Sequence, residues 1–247
     1  MRLIAPAAFG ERPRAVLIDL DDTLYGYEGP HRAAMAAVRE KARVSLNVRP
    51  DAFEDAFRSA RDAVKRRLGR TASSHSRLLY FQGTLEALGL NSQVAIALDL
   101  EQTYWRTLLA RARLLPGAEE TLIELRAAGL PLACVTDLTA QIQFRKLVYF
   151  EIDRYFDVVV TSEEAGVDKA GGVPFSLAMS KLGLDPRERV WCIGDAECDV
   201  EASKEVLNVA TLQRLTEDGP CTPHAGADAV FRKFSALRVW LRGALAA

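Results

Sequence analysis

Apolar residues along this chain fall into two kinds of run. Short unbroken blocks occur at Ala15-Val16-Leu17-Ile18, Leu130 to Thr136, Phe156 to Thr161, Val190 to Ile193 and Val209 to Leu212. Runs with so little polar alternation predict strands buried on both faces, as in a parallel sheet. Between them lie stretches of helical pattern: Pro116-Gly117 through Leu122, Leu125 and Ala128 to Gly129, then Gln141 to Phe150, Val173 to Leu182, Glu197 to Val206 and Ser235 to Ala246. Strands separated by single helices imply right-handed crossovers and an α/β architecture with a doubly wound parallel sheet.

One region breaks that alternation. From Pro30 to about Arg113 no strand pattern occurs, and four helices are predicted: Arg32 to Val44, Pro50 to Leu68, Ser73 to Leu88 and Ser92 to Ala112. Leu78, Phe81, Leu85 and Leu88 recur at helical steps, and Gly69 and Gly89 sit where helix ends favour glycine. An all-helical module therefore interrupts the α/β pattern. The predicted division is a core of residues 1–24 and 114–247, with residues 25–113 inserted.

The 49% hydrophobic and 26% charged fractions suit a soluble globular protein, and a net charge of −1 provides no global field toward nucleic acid or an anionic membrane. Affinity for anions must come from local basic clusters. Met1 to Arg14 has neither the apolar core of a secretory signal nor the length of a membrane span. Cys134 and Cys192 fall inside apolar runs, while Cys198 and Cys221 fall in predicted loops without metal-site spacing. Reduced thiols and a cytoplasmic setting are expected.

The chemistry concentrates where strands end. The first strand empties into Asp19-Leu20-Asp21-Asp22. Alternation along an extended backbone sends Asp19 and Asp21 to the same side. Acids at the mouth of an apolar strand repel one another and lose hydration, so they point to a cation or a reaction. In open α/β sheets ligands bind beyond the carboxyl ends of the strands, and Thr136 and Asp195 fall at two further strand ends.

Asp19-Leu20-Asp21-Asp22-Thr23 resembles the Asp-x-Asp-x-Thr motif of the haloacid dehalogenase (HAD) superfamily, most of whose members are magnesium-dependent phosphatases. Three further motifs follow in order. Thr136-Asp137 is similar to the second, with Asp where the family commonly has Asn. Gly166, Lys169 and Phe175 keep the spacing of the third, although Lys169-Ala170-Gly171-Gly172 lacks the usual stiffening prolines and predicts a looser loop. Gly194-Asp195 with Asp199 is similar to the fourth.

The resemblance implies a Rossmann-like core with a helical cap inserted after the first strand. It implies Asp19 as nucleophile, Asp21 as general acid and base, and Thr136 and Lys169 as further catalytic groups. Thr136, Asp137 and Lys169 would bind substrate, and Asp19, Asp21, Asp195 and Asp199 would hold Mg2+. Like charges about 4 Å apart cost roughly 4 kcal/mol at an effective dielectric near 20, so such a cluster needs neutralisation. Oxygen ligands without convergent His or thiolate select a hard ion. The dehalogenating branch generally lacks the second acid, so Asp21 favours hydrolysis of a phosphate monoester through an aspartyl-phosphate. A carbon-centre, haloacid dehalogenase-like hydrolase and a non-catalytic binding member are the alternatives.

Within the helical insertion, Ser74-His75-Ser76-Arg77 opens a helix where His75 and Arg77 could meet a substrate anion, the alternative being a capped helix end with solvated side chains. Lys65-Arg66-Arg67 and Arg70 read as a solvated face. Tyr25 and Tyr27 read as hinge packing or a stacking surface. The expected partner is a small phosphorylated metabolite such as a sugar phosphate, phosphoglycolate or a nucleoside monophosphate. No nucleic acid or membrane partner is expected, and the protein would be a monomer or homodimer.

Overall fold

A computed structural model describes residues 1–216 and 222–246; Cys221, assigned above to a loop, lies outside them. Two compact units result, residues 1–26 with 113–247 and residues 27–112. The chain begins with β1 (Arg2–Leu3) and β2 (Val16–Ile18). The second unit then holds α1 (Glu28–Leu46), α2 (Pro50–Leu68), α3 (Arg77–Ala87) and α4 (Val94–Arg111). The first unit resumes with α5 (Ala118–Ala127), β3 (Leu132–Thr136), α6 (Ala140–Tyr149), β4 (Val158–Thr161), α7 (Ser162–Ala165) and α8 (Val173–Lys181). It closes with β5 (Val190–Gly194), α9 (Glu197–Val206), β6 (Val209–Arg214), β7 (Ala229–Phe231) and α10 (Phe234–Ala246).

These strands form one sheet in the order β1-β7-β6-β5-β2-β3-β4, parallel throughout except for β1 against β7. β2 is its topological centre: Leu17 is registered with Ala133 on one side and Cys192 on the other. From β2 the chain winds outward through β3 and β4, and returns to build β5 to β7 on the opposite side. Ligand sites in such sheets lie where the winding reverses, beyond the strands' carboxyl ends. The ends of β2, β3 and β5 are therefore neighbours. Beneath them Leu17, Val135, Val160, Phe175, Met179 and Cys192 share one apolar core.

Every residue of β2, β3 and β5 is buried as the pattern predicts, but β4 lies at the sheet edge and buries only Val160 and Thr161. β1 and β7 have no counterpart in the pattern, because two- and three-residue strands are too short to show a period. Leu130 and Pro131 precede β3; the Pro131 carbonyl still accepts from Val16 N–H at 3.0 Å. In the second unit α3 starts at Arg77, later than the predicted Ser73. The Ser76 hydroxyl accepts from Leu79 N–H at 3.3 Å as its cap, and Ala72–His75 forms a separate turn. No described helix is long and apolar enough to cross a membrane.

The sixth helix runs within one residue of the predicted Gln141 to Phe150, but its faces are unusual. In the structure α6 buries Ile142, Gln143, Lys146 and Leu147, while Phe144 and Val148 are 49% and 62% exposed. A cation and an amide face inward, and an aromatic ring and an isopropyl group face outward.

Two substitutions separate these faces. Phe175→Ala, in the core, should cost about 3–5 kcal/mol in urea unfolding. Phe144→Ala should change stability by no more than about 0.5 kcal/mol. A large loss at Phe144 would mean that α6 packs the other way round.

Candidate active site

The residue after β2 is Asp19, whose N–H donates to the Ile193 carbonyl at 2.9 Å and ties this strand end to β5. Its carboxylate is buried, at 5% exposure. Lys169 reaches it from the turn before α8. Its Nζ donates to Asp19 Oδ1 at 2.7 Å and to Asp199 Oδ1 at 2.6 Å, with the lysine side chain only 4% exposed. On the other side of Asp19, Thr23 Oγ1 lies 3.1 Å from Asp19 Oδ2 and 3.1 Å from Asp195 Oδ1. One hydroxyl proton cannot serve both carboxylates at once.

The strand-to-helix turn after β5 brings in the remaining acids. Asp199 caps its own helix, accepting from Ala196 N–H at 3.1 Å, and folds back beneath Gly194. A Cβ at Gly194 would stand 2.3 Å from the Asp199 carboxyl carbon, so glycine is required there by space alone. Asp19, Asp195 and Asp199 each offer an oxygen within 4.8 Å of the others.

The electrostatics follow from that crowding. Burial pushes the Asp19 carboxyl well above its usual value; Lys169 opposes the rise, and Asp199 and Asp195 add to it. Asp195 is pushed up to about 7 by burial and by Asp199, with Lys169 opposing. Burial disfavours the charged form of Lys169, but Asp19 and Asp199 outweigh it and hold the ammonium protonated. Two buried carboxylates, Asp19 and Asp199, share one ammonium with the half-buried Asp195 beside them, so one lysine is too little to keep all three acids ionised. The site's donor set is all oxygen. Such a set fits a hard divalent cation and suits zinc or copper poorly.

The loop carrying Lys169 is not the loose one predicted from its missing prolines. Lys169–Gly171 forms a tight turn, and Gly172 adopts φ +74 at the start of α8. A Cβ on Gly172 would come within 2.7 Å of Val206 on α9. Glycine allows the backbone to close against that helix, and the packing supplies the stiffness. Asp137, a predicted substrate ligand, accepts from Lys169 N–H at 2.9 Å and so anchors the same turn.

Asp21 has an environment of its own. Lys146 Nζ donates to both its oxygens, at 2.6 and 2.8 Å, from a side chain 1% exposed. The Tyr25 hydroxyl donates to Oδ1, and Gln143 Nε2 lies 3.1 Å from Oδ2. Burial favours the neutral acid, but these three donors outweigh it and leave Asp21 below the ordinary carboxylate range. Gln143 also reaches Thr136 Oγ1 and the Asp137 carbonyl, linking the end of β3 to Asp21.

Thus Asp19, Asp21, Thr136, Asp137, Lys169, Asp195 and Asp199 gather at the ends of three adjacent strands. His75 and Arg77 belong to the helical unit, where Arg77 donates to the His75 carbonyl. Sequence reasoning missed Lys146 and Gln143 and gave Tyr25 only a packing or stacking role. The available signal was that Lys146 falls four residues after the apolar Ile142 and Gln143 four before the apolar Leu147, on one helix stripe. A second acidic group, Glu197 and Glu201 with His224, also brings ligand atoms within 4.8 Å. There His224 Nδ1 accepts from Gly226 N–H, and its Nε2 lies 3.0 Å from Glu201 and 3.4 Å from Glu197 on exposed surface.

The profile of the haloacid dehalogenase-like hydrolases matches residues 13–206, and this chain belongs to that family of enzymes. Among characterised relatives, ribulose-1,5-bisphosphate 5-phosphatase of Halopiger xanaduensis is 36% identical over 220 residues, covering 89% of this chain and 92% of its own. Glyceraldehyde 3-phosphate phosphatase of Methanocaldococcus jannaschii is 31% identical, covering 82% and 85%. The fold is shared with a HAD phosphatase of Thermococcus onnurineus (TM-score 0.68, 23% identity, 93% and 98% covered). It is shared equally with a 2-haloacid dehalogenase of Pseudomonas syringae (TM-score 0.73, 18% identity, 94% and 99% covered).

Gly194→Ala should destabilise the fold by about 1–3 kcal/mol, since Asp199 must move aside. Turnover should fall by about 10²-fold, because the carboxylate and Lys169 shift with it. Thermal unfolding and steady-state rates test this; a variant matching wild type in both would show that Asp199 need not lie beneath the strand.

Proposed function

We propose that this protein is a Mg2+-dependent phosphatase acting on small phosphate monoesters of the sugar-phosphate class, with Asp19 as nucleophile. The observation that carries this reading is the paired set of carboxylates: Asp19 held by Lys169, and Asp21 held separately by Lys146, Tyr25 and Gln143. Two acids in contrasting environments suit two roles, nucleophile and proton carrier. The named activities of the relatives, on ribulose 1,5-bisphosphate and glyceraldehyde 3-phosphate, support the substrate class.

Asp19, Asp195 and Asp199 would hold the ion, together with the loop at Asp21. When bound, it would neutralise the carboxylates and draw charge from the phosphoryl oxygens. An Asp19 oxygen forms the bond to phosphorus as the ester oxygen leaves and takes a proton from Asp21. Water then attacks the aspartyl-phosphate, losing its proton to Asp21 and freeing Asp19 and inorganic phosphate. Thr136 Oγ1, already turned to Gln143, is placed to donate to a phosphoryl oxygen. Lys169 keeps Asp19 oriented throughout.

Asp21 rests ionised, which suits its work as base in the second half-reaction. For the first half-reaction it needs a proton. A dianionic phosphoryl group beside it opposes the Lys146 field and raises its proton affinity. Lys146 thus sets the balance between the two halves.

Phosphate release from ribulose 1,5-bisphosphate, glyceraldehyde 3-phosphate and phosphoglycolate should require Mg2+ and be abolished by a chelator. Asp19→Asn should lower kcat by at least about 10³-fold with the fold intact. A folded wild-type chain that releases no phosphate from this panel, yet dehalogenates a haloacid without Mg2+, would overturn the reading. Lys146→Met should lower kcat by about 10²-fold with little change in KM, because Asp21 loses the group that orients it. Unchanged kcat would remove Lys146 from the mechanism.

A further inference from the structure

The helical unit contains a pocket of about 360 Å³, lined by Tyr27, His31, Arg58, Arg61, Arg77 and Tyr80 among others. All of its lining residues belong to this unit. The volume lies within the range of small-molecule sites. Its charge is unusual for a wall in a chain of net charge −1.

Arg77 is the central feature. Its guanidinium sits 5.4 Å from the Tyr80 ring, 5.4 Å from the Tyr104 ring and 5.7 Å from the Trp105 ring. It donates to the Tyr27 hydroxyl and the His75 carbonyl. Among the described residues no carboxylate lies within ion-pair distance of it. Aromatic faces attract a cation but do not neutralise it, and desolvating a charge without a counter-ion is costly. A guanidinium has five N–H donors, more than these partners use.

The surrounding arginines and acids pair off and leave the charge of Arg77 unmatched. Two acids line the pocket, Glu28 and Glu54, and each is paired with an arginine outside the lining: Arg32 at 3.4 Å and Arg39 at 3.0 Å. Arg58 and Arg61 lie one turn apart on α2, and their nearest acids, Asp55 and Asp62, stand at 3.6 and 3.5 Å on exposed helix surface. His31 contributes a neutral ring. Burial first, then Arg77, Arg61 and Arg32, push it down to about 4, and its Nδ1 lies 2.7 Å from the Tyr104 hydroxyl. Three arginines, a phenol and a neutral imidazole thus converge on one cavity. Carboxylates have two oxygens to offer such a set, whereas a phosphate group offers at least three, each able to accept charge-assisted bonds.

We propose that this pocket is a binding site for a phosphate-class anion, held by Arg58, Arg61 and Arg77 with Tyr27 and His31. The anion comes either from free inorganic phosphate or from a phosphate group on an organic ligand, and the recognition chemistry is the same. The site stands on the helical unit by itself and does not depend on the chemistry assigned to Asp19.

The chain has three histidines, so imidazole NMR of the full-length protein resolves His31 against His75 and His224 once each is assigned by substitution with Gln. Titration with inorganic phosphate, without Mg2+, should shift the His31 signal saturably. In Arg58→Gln/Arg61→Gln the apparent affinity should fall by about tenfold or more, with the melting temperature unchanged because both side chains are exposed. Arg77→Met should abolish the response; a melt alongside shows whether it remains folded.

A second titration uses ribulose 1,5-bisphosphate with Asp19→Asn, so that it is not consumed. A His31 shift with inorganic phosphate establishes a site for the free anion. A shift with the bisphosphate alone establishes a site for an esterified phosphate. If neither moves His31 at tens of millimolar, or if the double arginine variant responds like wild type, the proposal is overturned.

Discussion

Everything at the strand ends depends on one buried ammonium. Lys169 Nζ stands between Asp19 and Asp199, on an almost fully buried side chain. Removing one partner of a buried charge pair costs about 3–5 kcal/mol, because the charge left behind has no water to turn to. Much of the local architecture keeps these three groups in register. Gly194 lets Asp199 fold beneath β5, Gly172 lets the lysine loop close on α9, and the Asp137 carboxylate grips the Lys169 backbone. These devices hold charge where a compact core would otherwise exclude it, as expected of a site retained for its chemistry.

A second ammonium, on Lys146, gives Asp21 a different fate from Asp19. Two carboxylates two residues apart in the chain meet different partners because β2 ends between two strands. Asp19 faces β5 and the lysine turn, while Asp21 faces α6 and Thr136 at the end of β3. Burial acts on both. Asp19 shares its cation with a second acid and has a third close by, whereas Asp21 has a cation and a phenol beside it and a share in the Gln143 amide. Opposite displacements from similar starting chemistry follow from neighbours alone.

The helical unit is organised by aromatic packing: Phe57 meets Tyr80 and Phe81, and Phe81 meets Tyr104, which packs edge-on against Trp105. Rings whose centroids lie about 5–6 Å apart contribute through edge-to-face contact as well as burial. This cluster also surrounds the Arg77 guanidinium, so the same residues that form the unit's core enclose a cation.

The sequence by itself determined the order of the five central strands and the helices between them, because unalternating apolar blocks favour a sheet covered on both faces, whereas β1 and β7 were too short to show. It also determined the residues at the ends of β2, β3 and β5, since acids and a hydroxyl following such blocks stand out against the apolar background. Pro50–Leu68 and Glu197–Val206 were legible to the residue, through proline and acidic start signals. Lys146, Gln143 and Tyr25 were not. On α6 the apolar stripe through Phe144 and Val148 points outward, and only the position of Asp21 across the sheet end makes an inward lysine favourable. The stiffness of the Lys169 turn was equally hidden, because it comes from Val206 on a distant helix rather than from prolines within the loop. Periodicity reports how a segment partitions between water and core. Which buried charge meets which counter-charge is decided by residues more than a hundred positions apart, and only the tertiary structure brings them together.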